Sequence, residues 1–204
     1  ISEYAAKFGL GEDTGMTDLI YDRESDPAFT HRSDTAYKQW AYNQKLVDTN
    51  VWYPGETIYS AIGQQYSAYT PLQMTIATST IANRGTRYAP YLISKIVGGQ
   101  SVEERTGKQV MGTVDLQPST WQSIHQGMVA VTAYGGTSYS ISYGNNPALM
   151  PWRDIPVAVA GKTGTAQVAN DPNDMRAHGW FIAYAPAEKP EIAIGMVVEA
   201  GRGG

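Results

Sequence analysis

Val157-Ala158-Val159-Ala160-Gly161-Lys162-Thr163-Gly164-Thr165-Ala166-Gln167-Val168 joins a β-branched apolar entry to a run of small and hydroxylated residues, a composition suited to an extended strand. Two further apolar runs follow, Gly179 to Tyr184 and Glu191 to Glu199, rich in Val, Ile, Ala and aromatic residues. Only Pro186-Ala187-Glu188-Lys189-Pro190 separates these last two. Short connections favour adjacent pairing, so the last third of the chain is expected to form three sequential antiparallel strands.

Outward from this region the period changes. Thr70-Pro71-Leu72-Gln73 sets an N-cap hydroxyl, a proline at the first helical position and a Gln able to complete a capping box. Leu72, Ile76, Ala77, Thr80 and Ile81 then share a face, and Gly85 follows Asn83-Arg84 as a stop, which predicts a buried helix of about four turns. Pro118 opens a second long helix with Trp121, Ile124, Met128 and Val131 on one face, ended before Gly135-Gly136. Ile1, Tyr4, Ala5 and Phe8 recur at helical spacing with Gly9 placed as a left-handed cap. Residues Tyr91 to Val97 alternate up to Gly98-Gly99 and read as a strand and tight turn. From Asp18 to Tyr59 no period is sustained, and that stretch reads as a long loop excursion with one short helix around Thr35 to Lys45. Helices first and strands afterwards imply an α+β fold in which an antiparallel sheet is flanked by helices.

Composition bounds the function. The 204 residues suit one domain, and 42% hydrophobic with 17% charged residues suit a packed core. Nineteen acidic against 15 basic residues give a formal charge of -4 with no basic stripe, so nucleic acid is not an implied partner. No apolar run approaches the ~20 residues of a membrane span, so this chain itself is expected to make no membrane contact. The absence of Cys removes disulfides, thiolate nucleophiles and Cys-based zinc sites. His31, His125 and His178 are too widely separated for a paired metal site and are expected in polar or packing roles, so neither metal nor cofactor is expected. Tyr134, Tyr139 and Tyr143 beside Gly135-Gly136 could line a peptide groove, but a loop half covered by aromatic rings accounts for them more simply.

Gly161-Lys162-Thr163 also matches the end of a phosphate-binding loop, but the required glycine five positions earlier is Pro156, and no helix opens here. On a strand, Lys162 and Gly164 face one side and Thr163 and Thr165 the other, while Gly164 leaves room for close backbone approach. Such an edge can hold an extended peptide: the ammonium supplies a positive field, the hydroxyls bond a carboxylate, and unpaired backbone groups clamp substrate or an oxyanion.

The motif has ordered company: Ile62-Gly63-Gln64-Gln65, Thr70-Pro71-Leu72-Gln73-Met74, Ile81-Ala82-Asn83-Arg84-Gly85, Gly127-Met128 and His178-Gly179-Trp180-Phe181. Over nearly its whole length the chain resembles the transpeptidase domain of class B penicillin-binding proteins, and Trp52-Tyr53-Pro54-Gly55-Glu56 is similar to their elongation-type members. The resemblance implies the fold shared with serine β-lactamases, a five-stranded antiparallel sheet with helices on both sides. It implies acyl transfer from D-Ala-D-Ala stem peptides of peptidoglycan through a serine ester, which β-lactams trap. By motif, Lys162 would act as a catalytic cation near the serine network and the substrate carboxylate. Thr163 and Thr165 would bind that carboxylate, Gly164 would admit the substrate backbone, and the Thr165 N–H would form half of the oxyanion hole. The parent is expected outside the cytoplasmic membrane, anchored to it and working with other cell-wall synthesis proteins.

One departure is decisive for the chemistry. No Ser in the sequence opens a Ser-x-x-Lys or a Ser-x-Asn, so no nucleophile is identified on this chain. In the family both motifs precede a segment like Ile1 to Gly11, and a closing helix follows one like Gly201 to Gly204. Residues 1–204 are therefore expected to be a single partial domain that lacks those pieces and is inactive in isolation. A serine β-lactamase or D,D-carboxypeptidase shares the Lys-Thr-Gly motif, and a non-catalytic β-lactam-sensing or peptidoglycan-binding module is the alternative outside enzymes.

Overall fold

The computed structural model describes residues 1–18, 26–98, 101–105, 107–138, 156–167 and 177–201. Its helices are α1 (Ser2–Lys7), α2 (Thr35–Asn43), α3 (Pro54–Ala61), α4 (Pro71–Ala82) and α5 (Pro118–Thr132). Its strands are β1 (Thr86–Tyr88), β2 (Lys95–Gly98), β3 (Ser101–Glu104), β4 (Val110–Thr113), β5 (Ala160–Gln167), β6 (Ala177–Ala185) and β7 (Ile192–Val198).

Strands β5, β6 and β7 form one antiparallel sheet in that order, as the sequence predicts. Among the described residues this sheet has three strands, against the five that the resemblance implies. The other strands pair separately, β1 with β4 and β2 with β3. Strands β2 and β3 are antiparallel with Gly98 opposite Ser101, while residues 99–100, where the turn is expected, lie outside the described residues.

Helix α4 starts where its capping chemistry requires. Thr70 Oγ1 accepts the Gln73 N–H at 3.0 Å, and the Gln73 side chain accepts the Thr70 N–H at 3.2 Å. Gln73 is fully buried and also donates to the Glu12 carbonyl at 2.8 Å, so the cap ties the N-terminal segment to the helix. Helix α4 lies along β7 and β6, and α5 lies along β5. The core sits between: Met128 of α5 packs with Ala160 of β5, Tyr184 of β6 and Ala187. Gly195 marks the closest approach, since a Cβ there would lie 2.5 Å from Thr75 Oγ1 and 2.9 Å from the Pro71 carbonyl oxygen. The opposite face of β7 carries Ile192, Ile194, Met196 and Val198, all exposed.

Two expectations need correction. The 18–59 excursion is not loop with a single helix, because α3 begins within it after α2 and runs on to Ala61; residues 19–25 lie outside the described residues. Pro54 at the helix start and the Glu56 carboxylate accepting the Tyr53 N–H at 2.7 Å make that N-terminus. In the stretch from Tyr91, only Lys95–Gly98 is strand.

Candidate functional site

Among the described residues β5 is an outer strand of its sheet, and α5 packs beside it. Its register sets Lys162 opposite Ile182, Thr163 opposite Phe181, Gly164 opposite Trp180 and Thr165 opposite Gly179. Side chains alternate along a strand, and Ala160 is buried in the core. Lys162 and Gly164 therefore share the helix-facing side, with Thr163 and Thr165 on the other. Ala160 and Gly161 are buried while Lys162 is exposed, so the ammonium emerges where the strand leaves the core.

The Lys162 ammonium donates to the Thr163 carbonyl at 2.7 Å, and no carboxylate among the described residues forms an ion pair with it. Two residues on, the Thr165 carbonyl accepts from Gln64 Nε2 at 3.3 Å. In a sheet ladder a residue directs its N–H and C=O to the same edge, and residues two apart share that edge. Thr163 and Thr165 both meet side-chain donors at their carbonyls, which marks theirs as the outward edge. The space expected beside Gly164 is bounded: a Cβ there would lie 3.3 Å from Trp180 Cβ, its cross-strand neighbour. Close approach at Gly164 is therefore to Trp180.

Next to the loop that carries Gln64 lies a polar node that sequence reasoning missed. The Glu56 carboxylate accepts from Lys38 Nζ at 2.6 and 2.7 Å, from the Tyr66 hydroxyl at 2.9 Å and from Gln65 Nε2 at 3.4 Å. Burial alone would raise its pKa, but the bonds from Lys38, the Tyr53 N–H and Tyr66 outweigh that and hold it below the ordinary glutamate value. The Pro-x-Glu start of α3 was the sequence signal for Glu56; nothing local in the sequence signals Lys38.

The remaining candidates stay apart. His31 stacks on Tyr37 with ring centroids 3.7 Å apart, His125 Nδ1 meets the Tyr184 hydroxyl at 2.9 Å, and His178 Nδ1 accepts the Ala200 N–H at 3.1 Å. Tyr134 is 89% exposed, while Tyr139 and Tyr143 lie outside the described residues.

Comparison with known proteins follows the same lines. The family model for the penicillin binding protein transpeptidase domain matches residues 1–204. Peptidoglycan D,D-transpeptidase MrdA of Acinetobacter baumannii is 29% identical over 215 residues, covering 100% of this chain and 28% of the relative. The chain thus spans less than a third of the length of that curated relative. Penicillin-binding protein PBP2 of Helicobacter pylori, solved in complex with MreC, superposes with a TM-score of 0.68 at 29% identity, covering 100% of this chain and 32% of that one. Penicillin-binding protein A of M. tuberculosis, solved as a ceftriaxone acyl-enzyme, gives a TM-score of 0.57 at 30% identity, covering 72% of this chain and 30% of that one.

Proposed function

Because the chain belongs to the penicillin-binding protein transpeptidase domain family, we propose that it supplies the Lys-Thr-Gly side of a serine-type D,D-transpeptidase site that cross-links peptidoglycan. The observation that carries this reading is an outer strand presenting an ammonium without an ion-pair partner among the described residues, beside the outward edge of Thr163 and Thr165. An extended D-Ala-D-Ala stem peptide adds along that edge by strand pairing. Its terminal carboxylate is bound by the Thr163 and Thr165 hydroxyls in the field of Lys162. A serine outside these 204 residues attacks the penultimate carbonyl, and the Thr165 N–H stabilises the oxyanion. The terminal D-Ala leaves with a proton, and the acyl group then passes from the serine ester to the amine of a second stem, forming an amide while the amine's proton returns to the serine oxygen. A β-lactam opens on the same serine without releasing a leaving group, so the ester persists. The full protein acts outside the cytoplasmic membrane, anchored to it and assembled with other cell-wall synthesis proteins.

The test is the rate of acylation by a fluorescent penicillin in the full-length protein. Lys162→Ala should slow it by two or more powers of ten, equivalent to ~3 kcal/mol of transition-state stabilisation. Lys162→Arg should restore only part, since a planar fork does not replace a compact ammonium. An unchanged rate in Lys162→Ala would remove this residue from the mechanism, and rapid turnover of the ester would indicate a β-lactamase.

A further inference from the structure

We propose that Gln64 is a positioning residue of this site, whose carboxamide holds the Thr165 end of β5 in place by donating to its backbone carbonyl. The inference rests on the transpeptidase reading of β5. The contact joins the loop after α3 to the outer strand across 101 residues of sequence, at 3.3 Å.

The loop is built to present that side chain. Gly63 and Gln65 flank Gln64 with φ of 81° and 68°, and the second is a left-handed conformation that a residue with a Cβ adopts only at a cost in free energy. Surrounding bonds enforce it. Gly63 N–H reaches the Ser60 carbonyl and Gln64 N–H the Tyr59 carbonyl, each at 3.1 Å. Gln65 Nε2 and the Tyr66 hydroxyl are both held by Glu56, whose carboxylate is paired with buried Lys38. Tyr66, after the strained residue, packs with its ring centroid 5.6 Å from that of Tyr37, whereas Ile62 at the start of the loop is 70% exposed. What the loop delivers to the sheet is the Gln64 amide.

The position matters because the Thr165 N–H leaves the strand on the same edge as its carbonyl. A donor fixed by a rigid loop limits how far that end of β5 moves away from the reacting carbonyl, and misplacement of about 1 Å costs large factors in rate.

The test separates binding from chemistry in the full-length protein, by resolving penicillin acylation into a dissociation constant and a first-order acylation rate. Gln64→Met keeps length and neutrality and removes the donor; it should lower the acylation rate about five- to tenfold, the range of one neutral hydrogen bond, and leave the melting temperature unchanged. Gln64→Glu turns a carboxylate toward the Thr165 carbonyl and should lose more. A wild-type acylation rate in both variants would overturn the inference, and so would a rate loss that merely tracks a loss of melting temperature. Absence of labelling in the unmutated protein would instead overturn the transpeptidase reading, and this inference with it.

Discussion

Lys38 is 2% exposed, yet it lies outside any apolar pattern in the sequence. Its ammonium reaches both Glu56 oxygens, donates to the Val51 carbonyl and sits 5.0 Å from the centroid of the Tyr53 ring. One charged pair thus fastens α2, the 51–53 segment and the start of α3. Removing one partner leaves a buried charge uncompensated, so Lys38→Met should cost ~3 kcal/mol by urea denaturation. Combining it with Glu56→Gln should recover part of that loss, a coupling that a double-mutant cycle measures. The pH dependence has a definite sign. The folded Glu56 carboxyl titrates below its unfolded value, so its contribution is complete above the ordinary glutamate pKa of about 4.3 and is lost as pH falls through the lowered folded value. The stability gap between wild type and Glu56→Gln, which lacks the titrating carboxyl, should hold from neutral pH down to about 5 and shrink below about 4. A gap independent of pH would mean that the Glu56 carboxyl titrates alike in the folded and unfolded chain, so that its bonds do not lower its pKa.

At the scale of elements, Gly195 decides how α4 meets the sheet. A Cβ there would fall 2.5 Å from Thr75 Oγ1 and 2.9 Å from the Pro71 carbonyl oxygen, so the helix must shift to admit one. Gly195→Ala should therefore destabilise the fold by about 1–3 kcal/mol, measured as a lower denaturation midpoint; no change would show that α4 is not seated on β7. Helix α4 was legible because four consecutive residues, Thr70 to Gln73, carry its start signal. Strands β5 to β7 were legible because short connections keep their pairing local. Helix α3 was not, because its buried residues are Glu56 and Ser60 while Ile58 and Tyr59 are exposed, the inverse of the pattern that hydrophobic periodicity detects. Strands β1 and β4 escaped for another reason: each is only three or four residues long, and the β2–β3 hairpin lies between them in sequence. In the site, Lys162 to Thr165 announce themselves as a contiguous motif, whereas the Gln64 contact spans 101 residues and leaves no local trace.

Across the whole molecule, the sheet is covered by α4 and α5 on one face, while the outward edge of β5 carries Lys162, Thr163 and Thr165. That arrangement can bind a carboxylate and orient a carbonyl, but acylation also needs a nucleophile beside a base. None of the serines in the 204 residues opens a Ser-x-x-Lys. Lys162 is the one charged residue in the β5 motif, and its ammonium donates to the Thr163 carbonyl rather than accepting a proton from a hydroxyl. The isolated 204-residue chain should therefore form no covalent adduct with penicillin at any concentration, however well its sheet is folded. A second polypeptide carrying Ser-x-x-Lys and Ser-x-Asn motifs should restore labelling if the two pieces associate along the β5 edge. Intact-mass measurement after penicillin treatment decides between these states. A gain of one β-lactam mass on the isolated chain, mapped to any of its own residues, would show that the nucleophile lies within these residues and that the site has been assigned to the wrong hydroxyl.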